Sequence, residues 1–531
     1  LLFRSGVLSN SGELPLMDKT PVVFALADNP RVIVPDCGYT PINLPDNGYI
    51  IEKNVLDVYL LVCRKNAAKL RKLYVELTGR AELVRLASLG NWNSRYYKYN
   101  QREAEQMIED YRAHDVPLDN IVIDTDWRKA SDRGIGYDVD TNLFPDMPGY
   151  FRFAHERGVD VMFNDHPEPL DGAKNCIDPK EVEYREARLT EHLDNGLDTW
   201  GYDRNWHAKL VSPVDGIAPE TWGMHVFGEI TKHARQKQAN NQTIYRRPDI
   251  MANVDNIANG IYEGIGNSAS HRYSIQWTGD IGSDYTDLYA AVTQTLKCGD
   301  NCIPYAHPDC GGHVGNPDKK TYLRWIQFGS LGTVLRPHCT NNLERFREPW
   351  AYGDEEVENA ARNYVNLRYR LLPLIYTEAY KAYRDGSPIC RSMPWNYPSD
   401  KKAAKCESQY MIGSNLLVAP VVGGKFQPVQ SDYFTEPVKV TYYNGRNLEG
   451  EPVKEVCYDK IWMNCDNVSP EKGVPVYDYS AVWETSVRLK KTCNLFIETD
   501  DGVRVWVDGE LRVNDWTCHS ATKFDLGVFE A

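Results

Sequence analysis

Nowhere in its 531 residues does an apolar run reach the eighteen or so residues that a membrane-crossing helix needs. Residues 1–10 hold no basic stretch leading into an apolar one, so neither a membrane span nor a cleaved leader is expected within the sequence. Positive charge is also in deficit: 60 Lys and Arg stand against 74 Asp and Glu, a formal net charge of −14. Phosphate contacts need clustered Lys and Arg, which disfavours a nucleic acid or an anionic membrane as the main partner. The 13 cysteines include no CxxC pair, so spacing points to no zinc cluster, and no metal or other cofactor is expected. What is plentiful is Tyr (33) and Trp (13), side chains that stack on sugar rings and pack cores equally well.

The length exceeds one ordinary core, so a large domain with smaller satellites is expected. Between residues 84 and 384, short apolar runs alternate with amphipathic stretches, the pattern of parallel strands joined by crossover helices. Eight strands are read, at 84–92, 121–127, 159–166, 199–206, 244–253, 274–281, 301–307 and 332–338, with helical spacing over 101–114, 179–195, 219–238 and 318–329. That count predicts an α/β fold of the (β/α)8 TIM-barrel class rather than an open sheet. A long helix over 354–384 closes the region and stops at Gly386-Ser387-Pro388. The domains expected are a β-rich segment at 1–83, the barrel at 84–384, a small β-sandwich at 385–437 and a separate β-sandwich at 438–531, its hairpins marked by Asp-Gly pairs.

Work on a glycosidic bond with retained configuration needs two carboxylates facing each other across the anomeric carbon, roughly 5–5.5 Å apart. Asp203 and Asp280 are the candidates. They end the fourth and sixth expected strands, which aims both into the mouth where barrel enzymes keep their chemistry. Arg204 beside Asp203 favours the ionised form that a nucleophile requires. The apolar wall of Trp277-Thr278-Gly279 before Asp280 favours the protonated form of an acid. A lone Asp at a strand end is ordinarily a cap or turn residue, so the pair carries weight only within a larger set.

Five blocks supply that set in order: IVIDTDW (121–127), TWGYDRNW (199–206), HRYSIQWTGD (271–280), PDCGGHVGNPDKKTYLRWIQFGSL (308–331) and LRPH (335–338). Through them residues 84–425 resemble glycoside hydrolase family 31, the α-glucosidase family, with WTGD and GG-x-x-G-x-P…Y-x-RW-x-Q-x-G the specific parts. The resemblance implies a retaining, exo-acting α-glycosidase for a terminal sugar of an oligosaccharide or glycoconjugate, with Asp203 as nucleophile and Asp280 as acid/base. It matches Asp124 to a residue that binds sugar hydroxyls, and Trp277, Asp309 and His338 to further pocket positions, with Arg336 in the same R-x-H arrangement. Trp127, Arg204, Asn253 and His313 complete the expected substrate-binding residues.

Departures from the family pattern bear on specificity. Gly201 and Arg204 stand where the family carries Trp and Met, and His313 stands where it carries Phe. The strand expected to supply an Arg for the 2-hydroxyl side of the sugar reads IMANVDN and offers Asn253. The smaller residue leaves room and hydrogen-bonding capacity for an acetamido group, which favours an α-N-acetylgalactosaminide. An α-glucoside substrate, transfer of the sugar to an acceptor, and a catalytically inactive sugar-binding protein stay open as alternatives. A metal hydrolase using His166, His307 and His313 lacks any supporting helical spacing. Residues 438–531 resemble the protective-antigen-type β-sandwich module through YYNGRNLEGEP and ETDDGVRVWVDGELRVNDW, which implies glycan binding. Asp500-Asp501-Gly502 reads there as a hairpin turn rather than an ion site. Satellite sandwiches of this kind imply an extracellular or cell-surface setting.

Overall fold

A computed structural model of the chain describes residues 22–26, 57–61, 66–129, 135–173, 178–203, 219–241, 246–253, 270–273, 275–341, 345–422, 429, 431–461, 463, 469–518 and 522–531. The chain divides into two compact units, 1–424 and 425–531. The first unit begins with an antiparallel ribbon of β1 (Val22–Leu26) and β2 (Asp57–Leu61), followed by α1 (Ala67–Thr78), a helix the sequence reading passed over.

Its centre is a curled parallel sheet of seven strands in the order β3 to β9. The strands and helices alternate: β3 (Trp92–Asn93), α2 (Gln101–Ala113), β4 (Asn120–Ile123), α3 (Met147–Glu156), β5 (Asp160–Asp165), α4 (Pro179–Asn195), β6 (Thr199–Tyr202) and α5 (Pro219–Asn241). They continue with β7 (Ile250–Asn253), β8 (Ile275–Trp277), α6 (Tyr285–Asp300), β9 (Ala306–His307) and α7 (Lys319–Ser330). This is the expected α/β barrel architecture. Alternation along the strands sorts the apolar side chains: Val122, Met162, Met251 and Ile275 meet in one cluster filling the lumen. Ile121, Ile123, Val161, Phe163 and Trp200 pack outward with the helices.

Several strands are shorter than expected, with 121–127 ending at Ile123 before the helical turn Thr125–Trp127, 274–281 reduced to Ile275–Trp277 and 301–307 to Ala306–His307, and two others differ most. Ala87–Leu89 coils into a single helical turn, so the first strand is only Trp92–Asn93 rather than 84–92. The eighth run, 332–338, is not a regular strand but an extended seam. Trp92 N donates to Leu335 O (3.0 Å), Ser94 N to Pro337 O (3.1 Å) and Tyr96 N to Cys339 O (2.9 Å). On the other side Cys310 N donates to Arg336 O (3.0 Å) and His338 N to Cys310 O (3.4 Å). Pro337 has no N–H to give, which interrupts the ladder and leaves isolated bridges where a full strand was expected. The ring closes all the same.

The long helix appears as α8 (Glu355–Asp385), started by Asp354, whose side chain accepts from Glu356 N and Val357 N, and ended by Gly386 in the left-handed region (φ 75°). Arg368 on α8 is fully buried and donates to the carbonyls of Leu89 (2.7 Å), Gly332 (3.0 Å) and Thr333 (2.9 Å), pinning both sides of the seam from below. At the strands' N-terminal ends, Arg85 donates to Asp160 Oδ2 (2.6 Å), Thr199 Oγ1 (2.6 Å) and Asp249 Oδ2 (3.3 Å), tying β5, β6 and β7 together. Beyond α8 come β10 (Cys390–Ser392), α9 (Met393–Asn396), β11 (Tyr410–Ile412) and β12 (Leu416–Val418), the three strands forming an antiparallel sheet.

The regular elements described in the second unit are β-strands apart from one short helical turn, Ser431–Tyr433. Its β13 (Val438–Asn444) lies between β14 (Lys454–Tyr458) and β15 (Tyr479–Glu484), over a core of Val438, Val440, Tyr442 and Val474. β16 (Cys493–Thr499) pairs with β19 (Thr522–Phe529), and β17 (Val503–Val507) with β18 (Glu510–Asp515). Asp508 and Gly509 both take positive φ (51° and 82°), as a tight hairpin turn demands. Asp500-Asp501-Gly502 makes no hairpin: it joins β16 to β17, which lie in different two-stranded sheets.

Candidate active site

Polar side chains gather at the C-terminal ends of the barrel strands. Asp203 directly follows β6, its N–H bonded to Asp165 O at 2.8 Å. Among the described residues, Asn253, Asn164 and His166 approach its carboxylate. Asn253, the last residue of β7, donates through Nδ2 to Oδ1 at 2.9 Å, and Asn164 near the end of β5 donates to Oδ2 at 3.3 Å. His166 Nε2 lies 3.3 Å from the same Oδ2. Asn164 Nδ2 also reaches Asp124 Oδ1 (3.0 Å), which accepts from Thr125 N (2.8 Å). Burial pushes the Asp124 carboxyl up, against the pull of Asn164, His166 and Thr125. Asn164 was missed in the sequence, where the only signal was polar residues closing an apolar strand in FNDH, and His166 was considered there only as a ligand of the disfavoured metal hydrolase.

The register explains why Asn164 fits. It is the cross-strand neighbour of Gly201, and a β-carbon on Gly201 would come within 2.9 Å of Asn164 Oδ1 and 3.2 Å of Asn164 Cα. The glycine where the family carries Trp therefore clears the space that Asn164 fills.

Asp280 follows β8 and faces His313 Nε2 at 3.6 Å. His313 is held by a tight turn: Gly311 and Gly312 both adopt positive φ (100° and 83°), and a β-carbon on Gly312 would meet the Ser283 backbone at 2.5 Å. His313 Nδ1 is 3.0 Å from His338 Nε2, and the two rings stack with centroids 5.1 Å apart. Asp309 is fully buried and ion-paired with Arg336. Burial pushes its carboxyl up to about 6 despite Arg336 and His313, and the charges of Asp280 and Asp203 push the same way. Both carboxylates thus act on one buried neighbour. Arg336 also donates to Ser94 Oγ (3.0 Å) and His307 Nε2 (3.0 Å), and its guanidinium lies 5.1 Å from the Trp277 ring centre.

The structure therefore brings together Asp124, Asp203, Asn253, Trp277, Asp280, Asp309, His313, Arg336 and His338. Arg204 lies outside the described residues. Trp127 is not among the group: its ring is fully buried, stacked on Phe163 at 4.7 Å, with its N–H donated to Asn164 O (2.8 Å). Its three-residue offset from Asp124, through the helical turn Thr125–Trp127, turns it beneath the mouth, where it supports Asn164 from behind. Asp309, His313 and His338 place three metal-type ligand atoms within 4.8 Å of one another. The ion pair to Arg336 and the bond between the two rings already engage this set. Side-chain exposures of 14% for Asp203 and 29% for Asp280 leave both reachable from solvent.

A (β/α) barrel with carboxylates gathered at the C-terminal ends of its strands defines the class, a barrel with an enzyme-type site at its mouth. The chain belongs to glycosyl hydrolase family 31: the family's TIM-barrel domain matches residues 81–255 and 263–378, and its C-terminal domain matches 386–496. It is similar to an alpha-xylosidase of Emericella nidulans, 26% identical over 428 residues, covering 75% of this chain and 52% of that protein. Alpha-glucosidase 2 of Bacillus thermoamyloliquefaciens is also 26% identical, over 71% of this chain and 52% of its own length. The chain thus spans about half the length of these relatives. Among solved structures it shares the fold of a family 31 alpha-xylosidase from a soil metagenome complexed with xylose, with TM-score 0.59, 17% identity and coverage of 82% and 73% of the two chains. A Flavobacterium johnsoniae dextranase complexed with glucose gives TM-score 0.59 at 19% identity, covering 86% and 61%.

Proposed function

We propose that this chain is a retaining, exo-acting α-glycosidase in which Asp203 attacks the anomeric carbon and Asp280 serves as acid and then base. In the first half-reaction Asp280 protonates the glycosidic oxygen as Asp203 forms the covalent bond to the sugar. In the second, Asp280 takes a proton from the water that releases the sugar. The observation that carries this reading is the contrast between the two carboxylates. Asp203 accepts N–H bonds from Asn164 and Asn253 and lies 3.3 Å from His166 Nε2, while Asp280 is the more exposed of the pair and faces only His313 Nε2, at 3.6 Å, among the contacts described above. Asp124, Asp309 and His338 are assigned to the sugar's hydroxyls. A set of nitrophenyl α- and β-glycosides tests the proposal: turnover confined to α-anomers and abolished by Asp203→Asn is expected. Turnover of β-anomers alone overturns it.

For the sugar itself, the names of the relatives favour an α-xyloside or α-glucoside. One observation favours an acetamido sugar, with N-acetyl-α-galactosaminide as the specific reading. A carboxylate only accepts, so the amide nitrogens of Asn164 and Asn253 must face Asp203, and their carbonyl oxygens face elsewhere. Both oxygens are buried and lack a hydrogen-bond partner among the described residues. Beside the nucleophile they would accept from the substituent on sugar carbon 2, and an acetamido N–H is such a donor. A kcat/KM for the N-acetylgalactosaminide below that for the glucoside and xyloside rejects this finer assignment. Glycan binding by residues 438–531 belongs to the same proposal, supported by Trp506, whose ring is exposed on β17.

A further inference from the structure

His313, the residue that departs from the family's Phe, sits at the end of a chain of hydrogen bonds whose direction can be worked out. Arg336 can only donate, and its Nη1 donates to Ser94 Oγ at 3.0 Å. Ser94 is buried and has one proton to place, and its partner at 2.7 Å is His338 Nδ1. That short separation is typical of a donating hydroxyl, and the reverse direction would strand a buried O–H. His338 is held neutral, because burial, then Arg336, His313, Arg347 and His307, push its imidazole well below the usual range. Accepting at Nδ1, it carries its proton on Nε2 and donates to His313 Nδ1 at 3.0 Å. A neutral His313 that accepts at Nδ1 keeps its own proton on Nε2. That nitrogen faces Asp280 Oδ2 at 3.6 Å, an electrostatic contact beyond direct hydrogen-bond distance.

We propose that His313 is a positioning residue for the acid/base: the relay Arg336–Ser94–His338–His313 fixes it as the Nε2–H form and aims that N–H at the Asp280 carboxylate. The inference rests on Asp280 being the acid/base. No proton leaves the relay; it steadies Asp280 in the stages when that carboxylate is ionised, after protonating the leaving group and before activating water. The ring stays in place because its backbone is tied on both sides, His313 N to Ile281 O (2.7 Å) and Thr340 N to His313 O (2.9 Å). Among the described residues, the charged or titratable groups facing this centre include Asp280, Asp309 and His338 around His313, Arg336, Arg347 and His307 around His338, and Asp203 with Asp280 beside Asp309. Asp309 is neutralised by Arg336.

Ser94→Ala removes the hydroxyl that sets the relay's direction. The N–H favours ionised Asp280, so its loss should move the alkaline limb of the kcat/KM profile up by about one pH unit. Ser94→Thr, which keeps the hydroxyl, should hold the limb in place. Ring-nitrogen NMR of protein labelled with 15N-histidine reads the relay without turnover: His313, assigned by loss of its signals in His313→Phe, should carry its proton on Nε2 in the native chain. A limb that stays put in Ser94→Ala, or a native His313 protonated on Nδ1, overturns the proposal. Asp280→Ala separates the two ideas. If it slows alkyl α-glycosides far more than nitrophenyl ones while the Ser94→Ala limb stays put, the acid/base reading stands and only the relay fails. If it slows neither, the acid/base assignment itself is wrong.

Discussion

Alanine at position 201 would expose how the surroundings of Asp203 are built. Its β-carbon would sit 2.5 Å from Met162 Cε, 2.9 Å from Asn164 Oδ1 and 3.2 Å from Asn164 Cα. The methionine can swing aside, but the Asn164 backbone is fixed by β-sheet pairing, so its amide must turn away. That amide bridges Asp124 at 3.0 Å and Asp203 at 3.3 Å. A hydrogen bond to a charged group contributes about 1.5–3 kcal/mol, and every 1.4 kcal/mol or so is tenfold in rate. The longer contact to Asp203 belongs at the low end, so kcat/KM should fall ~10- to 100-fold by the same conversion. Overpacking should also cost about 1–3 kcal/mol of stability, visible in the thermal midpoint. Asn164→Ala should lose a similar factor. The double variant should be no slower than Asn164→Ala, because both changes act through one amide. Steady-state kinetics on the best nitrophenyl α-glycoside, with thermal midpoints for all three variants, gives the comparison. Losses that multiply in the double variant, or a Gly201→Ala rate within twofold of native (roughly 0.4 kcal/mol), refute this account.

Three further outcomes follow from the same structure. Arg336→Met leaves Asp309 buried beside no cation, so a loss of about 3–5 kcal/mol in stability and at least ~100-fold in kcat/KM is expected; unfolding and kinetic measurements showing neither contradict the pairing. Arg85→Met strips the cation from Asp160 and Asp249 at the opposite end of the barrel. It should lower the thermal midpoint by several degrees while kcat per folded molecule stays native, and a fall in kcat would place the network in the wrong role. Burial, reinforced by Arg272 and Lys232, brings His225 down to about 3, with its ring bonded to Tyr273 Oη at 2.5 Å. A histidine depressed in the fold contributes stability that is complete above its unfolded value near 6.5 and is lost as pH falls toward 3. His225→Gln should therefore flatten the acid side of the stability curve, by roughly 2–3 kcal/mol at pH 4.5 relative to pH 7.5. Parallel native and variant curves in urea unfolding at the two pH values rule this out.

The barrel was legible because its helices carry strong punctuation. Asp354 and Gly386 bracket α8, and Pro179 opens α4 behind an Asp cap. Strand edges were less legible. Nothing in VRLASLGNW distinguishes a strand from the helical turn Ala87–Leu89, which tertiary packing selects. At the site, Asp203 and Asp280 were readable by their position at strand exits, while Asp124 and Asp309 were nominated only through the family resemblance. Asn164 and Ser94 were not nominated, because their importance lies in cross-strand register and in contacts 39 and 244 residues apart along the chain. Trp127 failed for the complementary reason: a Trp next to a site residue looks alike whether its ring faces the mouth or, as here, the aromatic layer beneath.

The seam at 335–339 is where the ring of strands is joined, and the two residues that furnish the mouth from that side, Arg336 and His338, are carried on the joint itself. Its ladder is broken by a proline, so it is a weak stave of the cask. Loosening there would dismantle the site while the other strands still hold. Turnover should consequently fade below the temperature at which the far-ultraviolet helical signal collapses, and the interval between the two measures the strength of that joint.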